Sequence, residues 1–185
     1  PARGAGRGRS MIEPPDTSAP PADGVVASPG ELAALAAEAA RSGDAETLAR
    51  LLAAGVSPHT TTARGDGLLM LAAYHDRLPA VQLLLARGAD PDQRDVRGQT
   101  PLAGAAFKGL LAVAQCLVEG GATVDAPAHD GRTPLGVAAA FNRVDMVRWL
   151  LSAGADAGRR DLSGARPVDM ARALGAAEAA GLLPS

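Results

Sequence analysis

Residues 98–135 read GQTPLAGAAFKGLLAVAQCLVEGGATVDAPAHDGRTPL, a stretch that opens and closes on the same phrase, Gly-x-Thr-Pro-Leu, 33 residues apart. Thr100 stands where an N-cap belongs and Pro101 where a first helical residue belongs, since its missing N–H costs nothing there and its φ already suits a helix. A short helix then runs through Leu102, Ala105 and Ala106 and stops at Gly109, a residue able to take the left-handed conformation that ends helices. Val113, Leu117 and Val118 recur at helical spacing until Gly120 and Gly121 close a second helix. The following TVDAPAHD is too polar for a core and long enough to travel out to a turn and back. One unit is therefore helix, turn, helix and projecting loop.

The same step extends in both directions. Gly55, Gly88, Gly121 and Gly154 are spaced by 33 residues, as are Gly65, Gly98, Gly131 and Gly164. Leu51/Leu52, Leu84/Leu85, Leu117/Val118 and Leu150/Leu151 keep this register, and so do Ala39/Ala40, Ala72/Ala73, Ala105/Ala106 and Ala138/Ala139. A unit of this kind cannot bury its apolar face alone, so copies must stack and the end copies must carry a polar outer face. Small Ala pairs allow helices of successive units to approach closely, and the Leu pairs fill the space between helix layers. The period predicts an all-α repeat solenoid over 31–185: an N-terminal capping repeat at 31–63, full repeats at 64–96, 97–129 and 130–162, and a truncated C-terminal capping repeat at 163–185. Glu31, Glu38, Arg41, Asp44, Glu46 and Arg50 give the first copy its polar side.

Composition agrees with helices. The chain is 47% hydrophobic, yet its only aromatics are Tyr74, Phe107, Phe141 and Trp149, so the core is built from Leu, Val and Ala. No apolar run approaches the roughly 20 residues of a membrane helix. Eighteen basic against 20 acidic residues leave no basic excess for phosphates, which argues against nucleic acid as a partner. A single cysteine, Cys116, excludes an internal disulfide and a cysteine-based zinc site, and with no apolar leader in view it points to a reducing, cytoplasmic setting. Lys108 is the sole lysine, and the Arg, Ala, Gly and Pro bias suits a GC-rich bacterial genome. Residues 1–30 are rich in Pro, Gly and Ser without a periodic apolar face, which predicts a disordered tail. Met11 is a candidate start, with 1–10 an expression-derived or upstream extension.

The phased GQTPL and GRTPL strings, with GAD at Gly88 to Asp90 and Gly154 to Asp156, resemble the ankyrin repeat, as does the 33-residue period. The resemblance spans some 155 residues. It departs from the family pattern at the His that usually follows Thr-Pro-Leu, here Met70, Ala103 or Gly136, and at Gly67-Leu68 and Arg166-Pro167, which replace Thr-Pro. Gly is nearly as good an N-cap as Thr, so the second copy should lose only a few tenths of a kcal/mol.

The resemblance implies projecting β-hairpin loops and a protein-binding module that contacts its partner through hairpin tips and a concave groove lined by the first helices. Carried over by position, the groove presents Tyr74/His75, Phe107/Lys108 and Phe141/Asn142 at first-helix ends, with Tyr74 and Phe107 in a ladder and Phe141 one residue out of phase. The tips present Arg64/Asp66, Arg97/Gln99 and Asp130/Arg132. Packing between neighbouring repeats explains the aromatics as well as binding does, and solvated tips explain the charges as well as recognition does.

Chemistry has little to stand on. His59 and His129 fall in loops two units apart without a metal-ligand neighbour. The string Asp90 to Asp95 resembles a calcium loop only until its twelfth position, Pro101, where a bidentate Glu is required. The reading is a non-enzymatic adaptor or regulatory scaffold, monomeric alone, that binds another protein and uses no cofactor, metal, membrane, nucleic acid or small-molecule substrate. Its alternatives are an inhibitor or accessory subunit of a specific enzyme, and an enzyme using Cys116 or a histidine.

Overall fold

The computed structural model describes residues 28–184. The expected disordered tail lies outside this range except for its last three residues. Those three belong to the first helix: Ser28 is its N-cap, Pro29 its first residue, and Ser28 and Glu31 bond reciprocally, the Ser28 N–H donating to Glu31 at 2.7 Å and the Glu31 N–H to Ser28 Oγ at 3.3 Å. This capping box starts the helix two residues ahead of Glu31.

Ten helices among the described residues form five helix-turn-helix pairs: α1 (Pro29–Ser42) with α2 (Ala45–Ala53), α3 (Leu68–Tyr74) with α4 (Leu78–Ala86), α5 (Pro101–Lys108) with α6 (Leu111–Glu119), α7 (Pro134–Ala140) with α8 (Val144–Ser152), and α9 (Pro167–Ala173) with α10 (Ala177–Gly181). The first helices of successive pairs pack on one another, and the second helices form an outer layer along the same axis. Thr100 and Thr133 accept from the N–H groups of Ala103 and Gly136 at 3.3 and 3.2 Å, as their Thr-Pro context requires. Gly67 caps α3 without a side-chain bond, and at α9 the Asp169 carboxylate accepts from the Arg166 N–H at 3.0 Å instead.

Each pair turns on a left-handed residue: Gly43, Asp76, Gly109, Asn142 and Gly175, with φ of 86°, 58°, 79°, 53° and 72°. This is a third 33-residue series, hidden because Asp and Asn take two of its five places. The core is a line of small and branched side chains. Ala39/Ala40, Ala72/Ala73, Ala105/Ala106 and Ala138/Ala139 are buried along the first helices, and Leu48, Leu84, Leu117 and Leu150 are fully buried on the second. In the Leu pairs at 84/85, 117/118 and 150/151, the first member is buried and the second packs partly exposed against the core.

The projecting loops are tight tips. Each closes on two backbone bonds: the N–H groups of Thr62, Asp95, Ala128 and Asp161 donate to the carbonyls of Asp66, Gln99, Arg132 and Ala165, and their own carbonyls accept from the N–H groups of Gly65, Gly98, Gly131 and Gly164. The isolated bridge between Thr61 and Gly67 is the only strand-type pairing among the described residues. Beside this bridge the Leu68 N–H donates to the Thr60 carbonyl at 3.2 Å, a bond the other copies cannot make because Pro101, Pro134 and Pro167 stand at the place of Leu68.

Side-chain contacts that recur at equivalent places tie pairs together. Arg77 Nε donates to the Arg41 carbonyl at 3.0 Å and Arg143 Nε to the Phe107 carbonyl at 2.9 Å, each satisfying the end of a first helix. Asp92 accepts from the Thr123 N–H at 3.0 Å, and Asp125 from the Asp156 N–H at 3.0 Å.

Among the described residues four carboxylates are held below the ordinary range, and all lie in the terminal pairs or the tip leading into α9. The backbone of Ser28 lowers Glu31, that of Thr47 lowers Asp44, the Ser163 side chain lowers Asp161, and the Arg166 side chain lowers Asp169. A depressed carboxyl stabilises the fold above its unfolded value near 4 and loses that contribution as pH falls through its folded value. Amide exchange measured below about pH 4 is therefore expected to show α1, α2 and α9 losing protection before α5 and α7. Uniform loss along the chain would contradict this assignment.

Candidate functional site

The first helices end on one side of the molecule, beneath the tips, and their last residues meet there. Tyr74 closes α3 and stacks on Phe107 of α5 with ring centroids 6.2 Å apart and planes inclined by 11°. Phe107 in turn meets Phe141 edge to face at 4.5 Å and 73°. Phe141 joins the ladder despite its offset because α7 ends at Ala140 and Phe141 sits on the cap, one residue beyond the place of Tyr74. Lys108 Nζ lies 4.8 Å over the Tyr74 ring, and the His75 ring packs at its edge. Tyr74 is 37% exposed and Phe141 44%, with Phe107 half-buried between them. Packing and exposure thus coexist: the rings support each other and still present their outer edges.

A hollow of about 210 Å³ separates this ladder from the tips. Ala103, Gly104 and Val137 form its floor, with Arg97, Gln99, Asp130 and Arg132 on the opposite wall. The small floor residues set its depth. A Cβ at Gly104 would lie 3.2 Å from Met70 Sδ and 3.7 Å from the Tyr74 ring, so a larger side chain there would displace the ladder.

The groove continues both ways. Toward α1 it is walled by Arg41, Arg64, Asp66, His75 and Arg97. Toward α9 it becomes apolar, with Phe141, Met170 and Leu174 around Ala140 and Ala173. Of the twelve residues the sequence singles out, Tyr74, Phe107, Phe141, Arg97, Gln99, Asp130 and Arg132 line the central hollow, and His75, Arg64 and Asp66 line its extension. Lys108 stands over the ladder. Asn142 instead spends its side chain on the fold, its Oδ1 accepting from the Ala179 N–H at 3.0 Å. Met70, Met170, Leu174 and Arg41 were not among the sequence-derived candidates.

The tips are preorganised by acceptors at a single repeat position. Asp95, 7% exposed, accepts from the N–H groups of Arg97 and Gln99 at 2.8 Å each, Asp161 does the same for Ser163 and Ala165, and Thr62 for Arg64 and Asp66. The third tip has Ala128 at that position, and Asp130 holds only the Arg132 N–H, at 3.0 Å. Tip fits against tip: a Cβ at Gly98 would lie 2.2 Å from the His129 ring, and one at Gly131 2.8 Å from the Leu162 nitrogen.

The histidines and cysteine are absorbed locally. His59 gives its carbonyl to Gln93 Nε2, and His129 seals the Gly98 turn. Burial pushes the Cys116 thiol up, and Glu119 adds to the shift, so the group that would be a nucleophile is held as thiol at neutral pH.

A family model described as ankyrin repeats (3 copies) matches residues 36–128 and, in an overlapping placement, 69–161. The chain belongs to the ankyrin-repeat family, whose members are generally protein–protein interaction modules and typically not enzymes. No curated protein matches it in sequence. No helix among the described residues is long and apolar enough to cross a membrane.

Asp95→Ala is expected to lower unfolding free energy by about 1–3 kcal/mol, because two N–H groups lose a buried acceptor. Ala128→Asp should raise it by about 0.5–1.5 kcal/mol by supplying the absent acceptor. Thermal or urea melts check both signs.

Proposed function

We propose that this chain is a non-enzymatic adaptor or regulatory scaffold that holds one protein partner in the groove beneath its tips. The observation that carries the reading is the ladder Tyr74–Phe107–Phe141, three large rings held rigid by one another with two of them exposed at the edge of a hollow. Rigid aromatics bury much area on binding at low cost in rotamer freedom, which makes them the usual anchors of interfaces. The charged wall of Arg97, Asp130 and Arg132 supplies a polar rim able to select among partners.

Two further features accord with the same reading. No group of three or more His, Cys, Asp or Glu among the described residues is placed to hold a metal ion. The raised Cys116 thiol lies on α6, in the outer helix layer, away from the groove. A single cysteine suits a reducing, cytoplasmic setting, and the chain is read as a monomer that waits for its partner.

The test is capture of the partner from cells of the source by immobilised chain, followed by affinity measurement. Phe107→Ala is expected to weaken that complex by about 1–3 kcal/mol, and the triple change of Tyr74, Phe107 and Phe141 to Ala to abolish capture, with far-ultraviolet circular dichroism unchanged. Undiminished capture by a helical triple variant overturns the location. Maleimide labelling of native chain at Cys116 should be slow compared with a free thiol, and Cys116→Ser should bind the partner as the parent does. Rapid labelling that coincides with loss of a measurable turnover would favour a thiol enzyme instead.

A further inference from the structure

We propose that Asn142 and Arg143 are positioning residues for the aromatic ladder, and that each ring of the ladder is held by the helical pair that follows its own. The inference rests on the ladder being the docking surface, and adds to it the device that fixes the shape of that surface.

Phe107 lies in the last turn of α5, whose carbonyls have no partner within the helix and whose end frays unless they find one outside it. The Phe107 carbonyl finds Arg143 Nε at 2.9 Å, from the N-cap of α8. Phe141 lies one pair further on, at the cap of α7, and the next residue fixes that cap. Asn142 is left-handed at φ 53°, and its Oδ1 accepts from the Ala179 N–H of α10 at 3.0 Å. Tyr74 has no such tie, because Leu110 stands at the place of Arg143 and offers no side-chain donor to the Tyr74 carbonyl. Its ring is held instead by side chains of α5, stacked on Phe107 and covered by Lys108 Nζ at 4.8 Å. Support therefore runs in one direction, from α10 to Phe141, from α8 to Phe107 and from α5 to Tyr74. The last pair contributes no ring and still anchors the series.

The two ties are alternative solutions to one steric problem. Over Gly43 and Gly109 lies the arginine of the next pair: a Cβ on these glycines would stand 2.7 Å from Arg77 Cδ and 3.1 Å from Arg143 Cδ. Asp76 and Asn142 carry that Cβ at the equivalent turns, and the places of the arginine are taken by Leu110 and Ala176. An arginine that reaches back to a first-helix carbonyl thus goes with glycine, and a polar turn residue goes with a shorter, apolar neighbour. Phe107 is fixed by the first arrangement and Phe141 by the second, so the two rings can be loosened separately. Arg77 supplies a built-in control, since it makes the same bond to the Arg41 carbonyl at 3.0 Å, where α1 has Arg41 in place of a ring.

The chain holds two Phe and one Tyr, so their ring protons are resolved by nuclear magnetic resonance, and the cross-relaxation peak between Phe107 and Phe141 reads the ladder directly. Arg143→Met keeps an aliphatic stem over Gly109 without the donor, and Asn142→Gly keeps the left-handed turn without the acceptor. Each is expected to weaken that peak several-fold with far-ultraviolet circular dichroism unchanged. Arg143→Lys and Asn142→Asp, which keep a donor and an acceptor, are expected to retain it. Arg77→Met should lower the melting temperature as Arg143→Met does and leave the peak at its parental intensity. The proposal is overturned if either loss variant, folded, keeps the parental peak, or if Arg77→Met weakens it equally, which would make the loss a general loosening. Should Arg143→Met not fold, Asn142→Gly against Asn142→Asp decides the outcome. No partner is needed, so the two readings fail separately. A peak indifferent to these residues removes the positioning and leaves the docking surface standing, whereas capture that survives the triple alanine change removes the docking surface and leaves the positioning.

Discussion

The structure depends on one constraint, that a helical pair of this kind has nowhere to hide its apolar side except against the next pair. Alanine satisfies it on the first helices. The buried pairs from Ala39/Ala40 to Ala138/Ala139 bring neighbouring helices close without gaps, and Leu48, Leu84, Leu117 and Leu150 fill the wider space behind them. The core is consequently a line of identical junctions, and anything projecting from the junctions is held in register by the helices beneath it. That is how three aromatic rings from three helices come to touch while their outer edges stay in water.

Most of this was legible from period alone. Thr-Pro marks the starts of α5 and α7, the glycine series marks tips and helix ends, and the Ala and Leu pairs mark the two layers. What escaped was whatever breaks the period or replaces its usual residue. Asp76 and Asn142 adopt the left-handed turn that Gly43, Gly109 and Gly175 mark openly, and only their place at the common spacing betrays them. Phe141 looks out of phase until its position on the cap of α7 is known. Arg77 and Arg143 reach back 36 residues to first-helix carbonyls, a separation that a 33-residue ruler does not flag. Asn142, selected as a contact because of its aromatic neighbour, belongs to the joint with α10.

The groove is a gradient rather than a uniform surface. Its cationic stretch, its ladder and its apolar notch arise from substitutions at equivalent places in otherwise similar units: Arg41, Tyr74, Phe107, Ala140 and Ala173 share one position, Arg64, Arg97, Asp130 and Ser163 a second, and Leu71, Gly104, Val137 and Met170 a third. Repetition supplies the scaffold, and the variation among its copies supplies direction.

The ties between copies bear on how the chain finds its partners within itself. Interchangeable units invite a slip in which one hairpin is looped out and its neighbours join across the gap. Such a slip would bring Asp92 to Asp156 in place of Thr123, where the Asp156 N–H still donates, as it does to Asp125, but a second negative charge replaces the Thr123 hydroxyl. It would also set Arg143 where Leu110 belongs. Small irregularities in the copies thus number the units and let a monotonous chain count correctly as it assembles.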